Sequence, residues 1–488
     1  MFYCDVALAL GAPCYFFTDI VLFNIRSFVP EVGITMIRKN TASKIRTSCE
    51  EDRPVLLVAD RNGEIYDEPL YRAGGMTGGD FVQLTTDDLI PLPEGSRFYF
   101  IPKGRPIGFD KKGKPTVIED VYPVAAFLPP GYTRTFLPAY EETGSHPILP
   151  LWSYTAVSWY RDAFYAAALQ VAWMDKADPE LHDDEKLLPL VKKKRKDHPK
   201  NRLLRHLEKC ALYYHCFAAK NIFFGRWEAP LPTSPTCNAR CVGCLSLQEG
   251  DCCASQDRIS FVPEPSEIAS AAVPHLQKAE DAIVSFGQGC EGEPLLQART
   301  LALAIRSMRS ATDRGIINLN TNGFSAERIR MLGDAGLDSI RISMNSPDKD
   351  RYNAYYRPHG YRHEDVIEAV RVSKQVGLFT SINLLVFPGY TDREDEVVKL
   401  FRLIRQADVD LLHMRNLSID PSIYLASVPR PGGKAIGVRN LVQRMKEEFP
   451  HLEIGYFNLP EKDIKRVRAG RAQGSFFCHD SQQHPHNL

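Results

Sequence analysis

From residue 223 onward, short apolar runs alternate with longer stretches of helical period. The runs cover 223–231, 281–287, 315–321, 338–344, 379–387 and 410–417. Together they read as buried strands. Between them, stretches such as "PSEIASAAVPHLQKA" and "EDVIEAVRVSKQVG" repeat apolar residues at helical spacing, with Pro and Gly as start and stop signals. Six βα units at regular spacing predict parallel strands with right-handed crossovers, in an open doubly wound sheet or a barrel. No G-x-G-x-x-G turn follows the first strand, so the expectation is an α/β chain built on a barrel or partial barrel.

Upstream the period changes. "PVLLVADRNGEIYDEP" and "RPIGFDKKGKPTVIED" are each an apolar run, a turn rich in Gly and charge, and a second run, the pattern of a hairpin. They predict an N-terminal β-rich domain over 51–145, preceded by a segment 1–50 without a clear pattern. In 146–222, "SYTAVSWYRDAFYAAALQVAWM" and "NRLLRHLEKCALYYHCFAAKNIFF" space their apolar residues as helices do, predicting a helical linker region. The barrel is expected over 223–430 and a C-terminal extension over 431–488.

Composition narrows the function classes. The 488 residues suffice for two or three domains, and 60 Lys+Arg balance 60 Asp+Glu, so no global field draws the chain to nucleic acid or an anionic membrane. The basic run Lys192–Lys196 follows an acidic run and reads as solvated surface, with an RNA-contacting patch as the alternative. No uninterrupted apolar stretch has the length of a spanning helix, so no membrane partner is expected. The apolar start lacks a basic n-region and carries Asp5 and Asp19, which argues against a signal peptide; Met36 is an alternative start. Clustered rather than distributed cysteines point to the cytoplasm and to metal.

Five of the twelve cysteines fall in "PTCNARCVGCLSLQEGDCC", residues 235–253. Cys237, Cys241 and Cys244 form Cys-x3-Cys-x2-Cys immediately after the first barrel strand. Thiolates are the natural ligands of iron–sulfur clusters, and one compact loop can reach three corners of a cube while leaving the fourth iron open. Other readings compete. A zinc site could use Cys241, Cys244, Cys252 and Cys253, and "CVGC" could be a redox pair at a helix N-terminus. A helical face is disfavoured by Pro230, Pro232 and Pro235. Cys290 reads as a small buried hydrophobe.

With this motif in this place, residues 223–420 resemble the radical S-adenosylmethionine (radical SAM) enzymes, whose three-cysteine loop follows the first strand of a (β/α)6 partial TIM barrel. The resemblance implies an oxygen-sensitive enzyme in which Cys237, Cys241 and Cys244 hold a 4Fe-4S cluster. S-adenosyl-L-methionine would bind its open iron, and an external low-potential donor of flavodoxin or ferredoxin type would supply an electron. Reductive cleavage would then yield a 5′-deoxyadenosyl radical that abstracts hydrogen from an unknown substrate.

In "FGQGCEGEP", Gly292 and Glu293 match the family's Gly-Gly-Glu segment for the methionine amine, with Glu291 replacing its first glycine. Ser343 and Asn345 share a face by period-two alternation and match polar family positions for the ribose; alternatively, Asn345 or Ser346 caps the next helix. Asn320, Asn322, His413, Arg415, Asn416 and Asp420 fall at the same mouth, and His413 with Arg415 could take a substrate anion. No catalytic residue is assigned. Beyond Cys290 only Cys478 remains, which disfavours the peptide-maturing subgroup with its cysteine-rich C-terminal extension; a second cluster on Cys252 and Cys253 with Cys210 or Cys216 is likewise disfavoured. The alternative functions are a zinc-binding interaction module and a radical SAM enzyme modifying RNA.

Overall fold

The computed structural model describes residues 52–101, 104–144, 151–172, 179–248 and 254–473. Seven strands follow one another in sequence order across a single parallel sheet: Arg226–Pro230, Glu280–Phe286, Ile316–Thr321, Ser339–Met344, Phe379–Val386, Leu411–Asn416 and the short Glu453–Gly455. Helices join successive strands, giving the parallel half-barrel expected of the βα alternation. The seventh strand lies in the stretch read as an extension. The run 223–231 divides, because Gly225 at φ +68° ends the helix Phe217–Phe224 and the strand starts only at Arg226.

Alternation along the strands separates two chemistries. Ile317, Leu319, Ile340, Ile342, Met344, Ile382, Leu384, Leu412 and Met414 are fully buried among the helices. The intervening residues of the inner face are polar: Ser285, Asn318, Asn320, Arg341, Ser343, Ser381, Asn383, His413 and Arg415. Parallel strands covered on both faces are ordinarily apolar on both, so a polar inner face marks a site. At the amino ends of the strands this polarity stops. Ile283, Ile316, Phe379 and Leu411 pack there against Ile464 and Val467 of the helix Glu461–Gln473, which plugs the barrel floor.

The β-rich region reaches further than its sequence pattern indicates. The stretch 154–170, read as helix, consists of the strands Tyr154–Tyr160, Ala163–Ala166 and Ala168–Gln170. Its first two strands form a hairpin around Arg161 and Asp162, both at positive φ (46° and 59°) as a type I′ turn needs. The alanines mimic helical spacing, but Tyr, Thr, Val and Trp favour the pleat, and Tyr154–Val157 are buried on both faces, which erases the alternation that would identify a strand. Helices begin only at Asp184–Asp197 and continue with Arg202–Leu212 and Phe217–Phe224.

This β-rich region packs against the carboxyl ends of the fifth and sixth barrel strands. Thr133 Oγ1 donates to the Met414 carbonyl (2.6 Å), Asn416 bridges the Arg134 N–H and the Tyr132 carbonyl (2.9 Å each), and Gly78 N–H donates to Pro388 (2.9 Å). Arg134 is fully buried there, lying 5.3 Å from the centroid of the Trp152 ring and donating to the carbonyls of Tyr154 and Leu417; burial pulls its guanidinium down to about 9. The region therefore forms one wall of the barrel mouth.

Candidate active site

Leu231 N–H extends the sheet ladder to Ser285 (2.8 Å), and the chain then leaves the sheet through residues 233–246. This loop is clamped on its far side by the helix Lys349–Tyr356 and the turn after it. Arg240 N–H donates to Tyr356 (3.0 Å), Val242 N–H to Tyr355 (2.9 Å), and His359 N–H to Asn238 (2.8 Å). Asn322, after the third strand, donates its side-chain amide to Asn238 (2.8 Å). The loop is thus fixed by backbone bonds independent of the thiols it presents.

Cys237, Cys241 and Cys244 are half-buried free thiols. Burial, helped by the nearby Glu293, pushes Cys237 up to about 11, and burial pushes Cys241 well above the ordinary thiol range. Thiolates at these positions need positive charge to offset their desolvation, which metal–thiolate bonding supplies. Three free thiols on one compact loop suit the separate iron corners of a cuboidal cluster. Among the described residues, the next helix after Cys244 begins at Pro265. Cys252 and Cys253, invoked for a zinc site or a second cluster, lie outside the described residues.

The turn after the second strand locks onto this loop. Gly292 N–H donates to Ser234 (2.7 Å) and Glu293 N–H to Thr236 (2.8 Å). A Cβ on Gly292 would sit 2.0 Å from the Thr236 carbonyl oxygen, so only glycine permits the approach. Glu291, which departs from the family pattern, proves to be a strut. Its Oε2 accepts from Thr233 N–H (2.8 Å), Thr233 Oγ1 (3.1 Å) and Ser234 N–H (3.0 Å), and its Oε1 from Gly287 N–H (2.5 Å) and Gln288 N–H (3.3 Å). Glu293 accepts from Leu295 N–H (2.9 Å), Asn322 N–H (2.8 Å) and Thr321 Oγ1 (2.5 Å). Burial pushes both carboxyls up to about 7.

Two further groups were not singled out in the sequence. Four tyrosines in "YNAYYRPHGY" build an aromatic wall against the cysteine loop: Tyr352 and Tyr356 stack at 4.4 Å, and the hydroxyls of Tyr355 and Tyr356 are pushed well up by burial, with the Cys241 thiol adding to it. Arg258 aims Nη2 at Cys244 Sγ (3.7 Å) and Nε at Ser246 (3.1 Å). The dense tyrosine spacing was a usable signal; Arg258, fourteen residues from its thiol, offered none.

The other expected mouth residues divide. Ser343 lies on the inner face and accepts from Asn383 (3.3 Å). Asn345 turns toward the Arg351 carbonyl (3.3 Å) and the Tyr424 hydroxyl (3.5 Å) and leaves its Oδ1 without a partner. Neither Asn345 nor Ser346 caps the following helix; Asp348 does, accepting from Asp350 and Arg351 N–H. Asn416 is occupied by the β-rich region, and Asp420 caps the helix Pro421–Ser427, so these two do not face the mouth as ligand groups. His413 is fully buried with neither ring nitrogen well hydrogen-bonded, Arg341 leaves Nε unpaired, and Arg415 reaches the Tyr456 carbonyl (3.1 Å). Burial, reinforced by Arg341 and Arg415, holds the His413 imidazole neutral.

Residues 231–401 match the family model described as "Radical SAM superfamily". The GTP 3′,8-cyclase of Listeria monocytogenes serotype 4b is 27% identical over 204 residues, 40% of this chain and 56% of that protein. The GTP 3′,8-cyclase of Mycobacterium ulcerans is 29% identical over 201 residues, 40% of this chain and 52% of that protein. The chain thus spans about half the length of these relatives. Among solved structures, Streptococcus suis SuiB bound to S-adenosylmethionine aligns at 14% identity with a TM-score of 0.35, covering 48% of this chain and 51% of that one, too weak a likeness to carry an argument. Among the described residues no helix is long and apolar enough to cross a membrane.

Proposed function

From the membership of residues 231–401 in the radical SAM superfamily, an enzyme family that binds a 4Fe-4S cluster and S-adenosylmethionine, we propose that this chain cleaves S-adenosylmethionine reductively and acts on an anionic substrate. The observation carrying this reading is the Cys-x3-Cys-x2-Cys trio, held at the barrel mouth against Gly292 and Glu293. When bound, the two cofactors supply a 5′-deoxyadenosyl radical able to abstract hydrogen from substrate. Cys237, Cys241 and Cys244 would hold the cluster. The backbone at Gly292 and the Glu293 carboxylate, which borders Cys237, would orient the methionine amine, and Ser343 and Asn345 would take the ribose. The tyrosine wall would cover one side of the thiols against water and oxygen. The electron comes from an external low-potential donor.

Arg258 has a tuning role. Its N–H directed at Cys244 Sγ favours the more reduced, more negative cluster. Arg258→Met is expected to move the cluster's midpoint potential in the negative direction, read by redox titration followed by electron paramagnetic resonance, with little loss of iron.

The substrate class follows from the inner face. Arg341, Arg415 and the unsatisfied His413 share it, and buried donors of this kind demand an acceptor. A nucleotide is one such anion, and the relatives are named for action on GTP. Arg341→Met is expected to raise KM for the anionic substrate by about tenfold or more, the scale of one lost charged hydrogen bond, while 5′-deoxyadenosine release without substrate stays unchanged. The proposal is tested by anaerobic assay for 5′-deoxyadenosine with and without GTP and other nucleotides.

The RNA-modifying alternative keeps only part of the basic run as free surface, with Lys192, Lys193 and Lys196 exposed. Lys194 donates to the Ile222 carbonyl (3.1 Å) and Arg195 pairs with Glu208, so the basic run is partly consumed in holding its own helix to the next ones.

A further inference from the structure

Outside the cysteine loop, a second constellation joins two parts of the chain. His206 and Cys210 lie one turn apart on the same face of the helix Arg202–Leu212. Cys290 comes from the turn after the second barrel strand, beside the strut Glu291, and its carbonyl accepts from Ile259 N–H (2.8 Å). One nitrogen and two sulfurs all lie within 4.8 Å of one another. Cys210 and Cys290 are buried free thiols, and His206 is half-buried. His206 Nε2 and Cys210 Sγ are 3.6 Å apart. A tetrahedral ion with Zn–S of about 2.3 Å and Zn–N of about 2.0–2.1 Å places such a pair at about 3.5 Å. The spacing suits a single ion and is too tight for the separate corners of a cuboidal cluster.

We propose that His206, Cys210 and Cys290 bind one zinc-class divalent ion, pinning the helical segment to the turn that carries Glu291, Gly292 and Glu293. Imidazole plus two thiolates select zinc among available divalent metals. Binding releases the two thiol protons, and the half-exposed side of His206 gives the ion entry. The ion has a structural role: it fixes one wall of the cysteine loop from behind. This site is separate from the proposed radical chemistry and does not depend on it.

The test uses full-length protein purified without air, both wild type and a Cys237→Ala/Cys241→Ala/Cys244→Ala variant. Both are expected to carry about one zinc per chain by elemental analysis. Cobalt exchanged into that position should show thiolate-to-metal charge transfer and the d–d bands of a tetrahedral ion. Cys210→Ser and Cys290→Ser should each lower zinc occupancy at least tenfold. His206→Ala, at a half-exposed helical position that tolerates truncation, should do the same with an unchanged circular dichroism spectrum. Wild type without zinc, zinc retained in all three single variants, iron and sulfide in place of zinc, or a Cys210–Cys290 disulfide in anaerobically prepared protein would each overturn the proposal. Loss of iron from the triple variant with zinc retained would separate this site from the cysteine loop.

Discussion

Cys241→Ala is expected to yield a folded protein that retains no 4Fe-4S cluster and forms no 5′-deoxyadenosine. Removing one sulfur from this position costs only about 1 kcal/mol of stability, because the loop is held by its backbone bonds to Tyr355, Tyr356 and His359. The functional loss is total because a cuboidal cluster with three protein ligands has none to spare. Cys237→Ala and Cys244→Ala should behave alike, whereas Cys252→Ala and Cys253→Ala should keep the cluster. Iron and sulfide analysis after anaerobic reconstitution, with circular dichroism on the same samples, reads both halves of the expectation. Iron content unchanged in any of the three ligand variants refutes the assignment.

The second large effect is structural. Glu291→Ala leaves the N–H groups of Thr233, Ser234 and Gly287 and the Thr233 hydroxyl without their acceptor in a buried site. Each orphaned donor costs about 1–3 kcal/mol. Relaxation and entering water reduce the sum, so a loss of about 4 kcal/mol in urea unfolding is expected. Both loops lose their common anchor, so the cluster site should lose iron as well, in contrast to Arg258→Met. Glu291→Gln keeps one oxygen and should lose about half as much. Gly292→Ala provides a companion case, since its Cβ collides with the Thr236 carbonyl that pairs with Glu293. A Glu291→Ala protein within about 1 kcal/mol of wild type would show that the carboxylate is not a strut.

What was legible in the sequence was what periodicity and spacing encode. The barrel strands alternate apolar residues packed on helices with polar residues of the inner face, and the cysteine motif is local, so a few ångströms of inorganic cube leave their imprint on the eight positions from Cys237 to Cys244. What was illegible depends on long-range pairing. Glu291 looked like a lapse from a glycine pattern, yet its partners lie fifty-seven or more residues upstream at Thr233 and Ser234. Cys290 looked like a lone buried hydrophobe, because nothing near it in the chain signals His206 and Cys210. Asn416 and Asp420 were placed at the mouth by strand position alone, but one is taken by the β-rich region and the other by its own helix. The hairpin at Tyr154–Ala166 was hidden because burial on both faces removes alternation.

The most direct test of the central claim is anaerobic reconstitution of wild type and Cys241→Ala with iron and sulfide, followed by iron counting and a 5′-deoxyadenosine assay under strong reductant. About four irons per chain and nucleoside release are predicted for wild type, with both absent from Cys241→Ala. A wild-type protein that binds no iron on this loop, or that holds its full cluster after Cys241 is removed, would contradict the account.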